Sequence, residues 1–298
     1  MNKKVGIIGA PITIAQPNDG VDLGPKAIRY AGLINRLEKL NLNVIDYGDL
    51  NVTNERLIEN DLNLKNLENV ATGNELIAQK VIEVVNKDEF PLILGGDHSI
   101  AIGSIAGLAD KYKDLGVIWY DAHADLNNAE TSPSGNIHGM SLAVCLGNGH
   151  ERLTSINGNQ PKINPENVVL IGARDLDDGE KELIKQIGIK LYTMTDIEEK
   201  GMQSVIEETL DYLKDRTDGI HLSLDVDGLD PIHTPGTGTP VIGGITYRET
   251  ILAMQMLNKS HLITSAEVVE VNPLLDQQNQ TAEVAVDIIS ALFGETYN

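Results

Sequence analysis

The chain has 298 residues and carries 23 Lys and Arg against 44 Asp and Glu, a formal net charge of −21 at pH 7. So acidic a molecule is a poor match for nucleic acid or an anionic membrane, both of which attract positive surfaces. Apolar residues make up 41% of the chain, enough for a substantial core, and the lone Cys145 excludes an internal disulfide framework or a thiolate-rich metal site.

The length suits one large α/β domain or two small ones. Val5-Gly6-Ile7-Ile8-Gly9 is too short for a signal peptide's apolar region and lacks a small-residue cleavage site, so it reads as a first strand. No stretch reaches the roughly 18 apolar residues of a membrane span, and a cytoplasmic protein is expected. Apolar residues spaced at three and four predict a helix over Pro25–Leu37. Strands are expected at Asn43–Tyr47 and Pro91–Leu94, with a helix at Glu75–Asn86 between them. Further strands fall at Gly116–Tyr120, Asn167–Ile171 and Ile189–Tyr192, the last two separated by a helix at Glu180–Ile187. Then come a helix at Met202–Leu213, a strand at Gly219–Leu224, a helix at Tyr247–Leu257, a strand at His261–Val269 and a helix at Ala282–Leu292. Runs apolar at consecutive positions, such as Val117-Ile118-Trp119-Tyr120, mark strands buried on both faces and hence a parallel sheet covered by helices. The stretch Asn148–Glu166 is loop-like but flows into strands, so a single domain over 1–298 is expected. Cys145, in the apolar run Ala143–Leu146, reads as a small buried hydrophobe. An open doubly wound sheet and a closed eight-stranded barrel both fit this alternation, and both place their sites at the carboxyl ends of strands.

Polar residues interrupt the apolar pattern at three strand ends: Gly95-Gly96-Asp97-His98-Ser99, Asp121-Ala122-His123-Ala124-Asp125 and Asp225-Val226-Asp227-Gly228-Leu229-Asp230-Pro231. In extended chain, residues two apart point the same way. Asp121, His123 and Asp125 should therefore share one face, as should Asp225 and Asp227, and with His98 they form six candidate metal ligands. Gathered carboxylates repel unless a cation holds them. Four Asp contribute −4, which two divalent cations would balance. Carboxylates and imidazoles without thiolate suit Mn²⁺ better than a structural zinc, and two such ions sharing a water would make hydroxide available at neutral pH. Asp97 and Asp230, each taken alone, fit a turn or helix cap, and His221, inside a strand run, reads as structural. The chain has no G-x-x-x-x-G-K-[ST] phosphate loop, no G-x-G-x-x-G after the first strand and no G-x-S-x-G elbow.

The three segments resemble the signatures of the ureohydrolase superfamily, and the resemblance runs from Gly20–Pro25 to Glu270–Pro273. Within it the chain is similar to the arginase family through Ser132–Gly139, Gly172–Glu180 and Thr237–Gly244. One departure is Ala124, where that family more often carries Gly or Thr; lying between ligands, it is expected to face away from them. The resemblance implies an open three-layer α/β/α sandwich on an eight-stranded, mainly parallel sheet, which removes the barrel. It implies hydrolysis of L-arginine to L-ornithine and urea by a hydroxide bridging two Mn²⁺ per chain. His98 and Asp125 would bind one ion, His123 and Asp227 the other, and Asp121 and Asp225 both. By the same resemblance Asp125 would relay a proton to the leaving amine, His138 would shuttle protons to bulk water and Glu270 would pair with the guanidinium. Asn127, Ser134, Asn136, Asp177 and Glu180 would hold the α-amino and α-carboxylate groups, and Thr239 would set a hydroxyl near the guanidinium. Read without the family, Asp177 and Glu180 are acids favoured at a helix start, and His138 is a loop histidine. Agmatine or another guanidino compound is the alternative substrate, and an inactive metal-binding scaffold is a third reading. The resemblance also implies a homo-oligomer, a trimer or hexamer, with a small molecule rather than nucleic acid or a membrane as its partner.

Overall fold

The computed structural model describes residues 3–57, 63–158 and 161–296; residues 159–160, inside the expected loop, lie outside it. Eight strands form one sheet: β1 (Lys4–Ala10), β2 (Asn43–Asp49), β3 (Phe90–Gly95), β4 (Leu115–Tyr120), β5 (Val168–Ala173), β6 (Lys190–Thr193), β7 (Gly219–Asp225) and β8 (Ile263–Val269). Their order is β2-β1-β3-β8-β7-β4-β5-β6, and every pairing is parallel. The sheet is open, so the barrel is excluded. Strands β3, β4, β5 and β7 are buried along their whole length, as consecutive apolar residues require, whereas the edge strands β2 and β6 are largely half-buried.

Alternate side chains of each strand feed two cores. Ile118 and Tyr120 join one, with helices Gly24–Tyr30, Leu33–Lys39, Met202–Leu213, Tyr247–Ser260 and Gln280–Leu292; Val117 and Trp119 join the other, with helices Leu67–Asn86, Ala101–Leu108 and Asp178–Ile187. Fully burying one such aliphatic or aromatic side chain stabilises the fold by about 1.5–3 kcal/mol.

All eight expected strands are present; the helices differ more. The single helix expected over Pro25–Leu37 is two, Gly24–Tyr30 and Leu33–Lys39, because Gly32 takes φ 94° and ends the first. Apolar spacing runs through the break and hides it. The helix expected from Glu75 starts at Leu67. Ala101–Leu108 is buried on every side and so lacks the polar face that periodicity detects. Met194–Lys200 was also not signalled, and the expected loop contains the short helix Glu151–Thr154.

The topology sets where a site can form. Neighbours β3 and β8, and β7 and β4, are distant in sequence, so their following loops diverge and leave a crevice at the carboxyl ends of four central strands. Gly96 lets the ends of β1 and β3 meet there: a Cβ would sit 2.4 Å from the Ile12 carbonyl oxygen and 2.5 Å from that of Ala10.

Candidate metal centre

The candidate ligands pair at i and i+2 through turns, not through strand alternation. Strand β4 ends at Tyr120 and β7 at Asp225, and the chain bends directly afterwards. Asp97, Asp121 and Asp225 each accept through Oδ1 from the backbone N–H two residues on: Ser99 at 3.1 Å, His123 at 2.7 Å and Asp227 at 2.8 Å. One turn type therefore recurs at three strand ends. It commits Oδ1 and leaves Oδ2 to be placed by tertiary structure. In Asp97, Oδ2 accepts from Ala15 N at 3.0 Å, so this residue is the cap its pattern suggested. In Asp121 and Asp225, Oδ2 lies 3.0 and 3.3 Å from His98 Nδ1, and Asp125 Oδ2 lies 3.1 Å from the same nitrogen.

Two clusters result. Ligand atoms of His98, Asp121 and Asp225 all lie within 4.8 Å of one another, as do those of Asp121, His123 and Asp227, and Asp121 belongs to both. Ala124 packs into the apolar core, away from the cluster. His98 Nδ1 is buried without a hydrogen-bond partner although three carboxylate oxygens surround it. Its Nε2 meets Ser223 Oγ at 2.8 Å, and that hydroxyl donates to Glu267 Oε1 at 2.7 Å. Ser223 thus accepts from Nε2–H, which leaves a lone pair on Nδ1, the state a metal ligand needs. Trp119 stacks on the His98 ring at 4.1 Å, and its Nε1–H donates to Asp121 Oδ2 at 3.1 Å.

The electrostatics require positive charge. Burial disfavours a charged His98, yet Asp121, Asp125 and Asp225 hold it well above the usual histidine range. Burial disfavours charge on His123 too, and Asp227 with Asp121 raises it all the same. Burial plus the charges of Asp227 and Asp121 pushes Asp225 well up, burial plus Asp121 raises Asp227 to about 6, and burial plus Asp121 raises Asp125. Burial also opposes charge on Asp121, but the imidazoles of His123 and His98 beside it outweigh burial and hold it down. Hard oxygen donors with two imidazoles, short of cations and ringed around an orphaned nitrogen, fit divalent metal ions.

A cleft opens over the cluster. His123, Asp125, Asp225 and Thr239 line its base, and Asn127, Ser134, His138, Asp177 and Glu180 line it further, together with Ser132 and Asp175. Thr239 Oγ1 donates to Asp227 Oδ2 at 2.9 Å. Glu270 follows β8 in a left-handed conformation, φ 63°; its Oε1 accepts from His98 N at 2.9 Å and lies 3.2 Å from His138 Nδ1. Glu270 Oε2 is buried and unpartnered. Burial disfavours charge on His138, but the hydrogen bond and charge of Glu270 raise its pKa. Asn127 Nδ2 donates to Asp177 Oδ2 at 2.8 Å. Asn136 is not part of the lining, and its Oδ1 accepts from Lys65 Nζ at 3.3 Å.

The sequence pattern missed Ser223, Glu267, Trp119 and Asp175, the last of which has a carboxylate oxygen 3.7 Å from His123 Nε2. Glu267 carried the one usable signal, a lone acid inside an apolar strand. His221 has Nδ1 3.0 Å from Ser265 Oγ and Nε2 3.2 Å from Glu267 Oε1, and Cys145 is buried.

A family model for the arginase family matches residues 3–294. The chain is 60% identical over 295 residues to the arginase of Bacillus caldovelox, covering 98% of this chain and 99% of that one. To the arginase of Bacillus subtilis strain 168 it is 59% identical over 295 residues, covering 99% of each. The fold is similar to the native structure of the Bacillus caldovelox arginase, with a TM-score of 0.97, 59% identity and 99% of each chain covered.

Proposed function

The chain belongs to the arginase family, and on that premise we propose how its site hydrolyses L-arginine to L-ornithine and urea. The observation that carries the reading is the ring of three carboxylate oxygens around His98 Nδ1, set beside the unpartnered Oε2 of Glu270. Two Mn²⁺ per chain are the proposed ions, with His98 and Asp125 on one, His123 and Asp227 on the other, and Asp121 and Asp225 on both. When bound, they would supply Lewis acidity and a water acidic enough to attack at neutral pH.

The chain's own groups do the positioning. A guanidinium is a resonance-stabilised cation and a poor electrophile, so its carbon must be held close to the nucleophile. Glu270 accepts a guanidinium N–H at Oε2, while the N–H of His98 fixes its other oxygen. Asp125 faces both the cleft and the cluster, which suits it to pass a proton to the departing amine. His138, with 16% of its side chain exposed, stands between Glu270 and solvent and exchanges the proton with bulk water. Asp177 offers a carboxylate to the α-ammonium, and Asn127 and Ser134 offer donors to the α-carboxylate. Thr239, through Asp227, orients a ligand.

Purified protein supplied with Mn²⁺ is expected to release far more urea from arginine than from agmatine, which lacks the α-carboxylate; equal or reversed preference would overturn arginine as the substrate. His138→Asn is expected to lower turnover at the proton-transfer step, with added imidazole restoring part of it. Absence of rescue would remove the shuttle role.

The reading includes a single domain that assembles into a trimer or hexamer in the cytoplasm. Among the described residues no helix is long and apolar enough to cross a membrane.

A further inference from the structure

We infer that Glu180 is a positioning residue, clamping the peptide that joins Asp125 to Leu126 and so holding Asp125 in place as a ligand. This rests on the metal reading above and replaces the head-group contact that the resemblance implied for Glu180.

Asp125 sits in the left-handed region at φ 51°, which aspartate enters more readily than most residues and which fixes the direction of its side chain. Its following peptide is gripped from both sides. The Asp125 carbonyl accepts from Ala143 N at 3.1 Å, and the Leu126 N–H donates to Glu180 Oε1 at 3.0 Å. These two bonds fix the orientation of the peptide plane on the C-terminal side of Asp125, and with it the backbone from which the side chain reaches His98. The other oxygen of Glu180, Oε2, accepts from Asp177 N at 2.8 Å. Both oxygens are therefore committed to backbone donors, one in the ligand loop and one at the start of helix Asp178–Ile187. Glu180 is 4% exposed, as a group built into the scaffold should be. A second tie runs in parallel, from Asn127 Nδ2 to Asp177 Oδ2. The carboxylate proposed to receive the substrate's ammonium thus belongs to the same helix start that steadies the metal ligand.

A carboxylate is required because two backbone donors must be met by two acceptor oxygens. Glutamine offers one oxygen, and its amide nitrogen would face an N–H. Glu180→Gln keeps the shape, breaks half of the clamp and is the variant to make. Each protein is stripped of metal, titrated with Mn²⁺ by calorimetry and then assayed on arginine. Glu180→Gln is expected to weaken one Mn²⁺ site by roughly tenfold or more, as loss of a ligand's support does, and to lower kcat with KM nearly unchanged. Asp177→Asn keeps an oxygen to accept from Asn127 and loses only the charge, so it is expected to do the reverse, raising KM and leaving Mn²⁺ affinity unchanged. If Glu180→Gln raises KM alone, Glu180 is a head-group contact and the proposal is overturned. Where that variant melts early, Glu180→Asp, too short to reach both donors, is read in the same way. Unfolding of both would also overturn the proposal, by making the contact purely structural. The calorimetry needs no substrate, so an unchanged affinity sinks only the clamp, and a wild-type protein inert to arginine sinks only the substrate reading.

Discussion

Asp125→Asn is expected to leave the fold intact and to remove about 99% or more of the urea released from arginine, the scale on which positioned proton-transfer groups act. Asparagine is chosen because it isolates the chemistry. It tolerates the left-handed backbone that Asp125 occupies, so φ 51° adds little strain. It keeps an oxygen where Asp125 Oδ2 lies, 3.1 Å from His98 Nδ1. What it lacks is the charge that holds a cation and the basicity that carries a proton. Ligation and relay fail together, and kcat should fall with kcat/KM. Urea release under saturating arginine, beside a melting curve, checks it; activity within about threefold of wild type would remove Asp125 from the relay.

Stripping the metal with a chelator is expected to abolish activity, and Mn²⁺ is expected to restore it. The same treatment should lower the melting temperature. Asp121, Asp125, Asp225 and Asp227 lie buried together, and burial with mutual repulsion already pushes three of them toward protonation. An ion that binds only the folded chain, present at about a hundred times its Kd, stabilises that chain by about 2.7 kcal/mol. For a chain of this size that corresponds to a rise of about 4 °C. Scanning calorimetry with and without Mn²⁺ measures the shift, and metal analysis of the active protein counts the ions. Full turnover by a metal-free sample would refute the metal reading outright.

The candidate ligand set was legible because buried parallel strands rarely carry ionisable residues without a reason, and three strand ends carried several. The geometry behind it was not. Alternation along an extended chain pairs Asp121 with His123 and Asp225 with Asp227, and those pairs do converge, but turns made by their own carboxylates bring them together. Nor could spacing separate Asp97 from Asp121. Both build the same turn, and only the Ala15 N–H, delivered from another strand's loop, removes Asp97 from the cluster. Ser223 and Glu267 escaped notice for a related reason: a serine in an apolar run has no period, and its value lies in a neighbour 44 residues away. Strand order lay beyond periodicity altogether, and only the family resemblance decided between sheet and barrel.

That strand order also has a consequence for how the molecule comes into being. β8, the last strand in the chain, is inserted between β3 and β7 at the middle of the sheet. Without Ile263–Val269, the ribbons β2-β1-β3 and β7-β4-β5-β6 share no strand pairing, and each leaves open the edge where β8 pairs. His98 stands on one ribbon and Asp121, Asp225 and Asp227 on the other. The His98 cluster therefore needs both ribbons, although Asp121, His123 and Asp227 already share one, and the open edges are the points at which a stalled or truncated product would pair with another copy. Pairing of the final strand joins the two halves of the sheet and so brings His98 to the carboxylates of the other half.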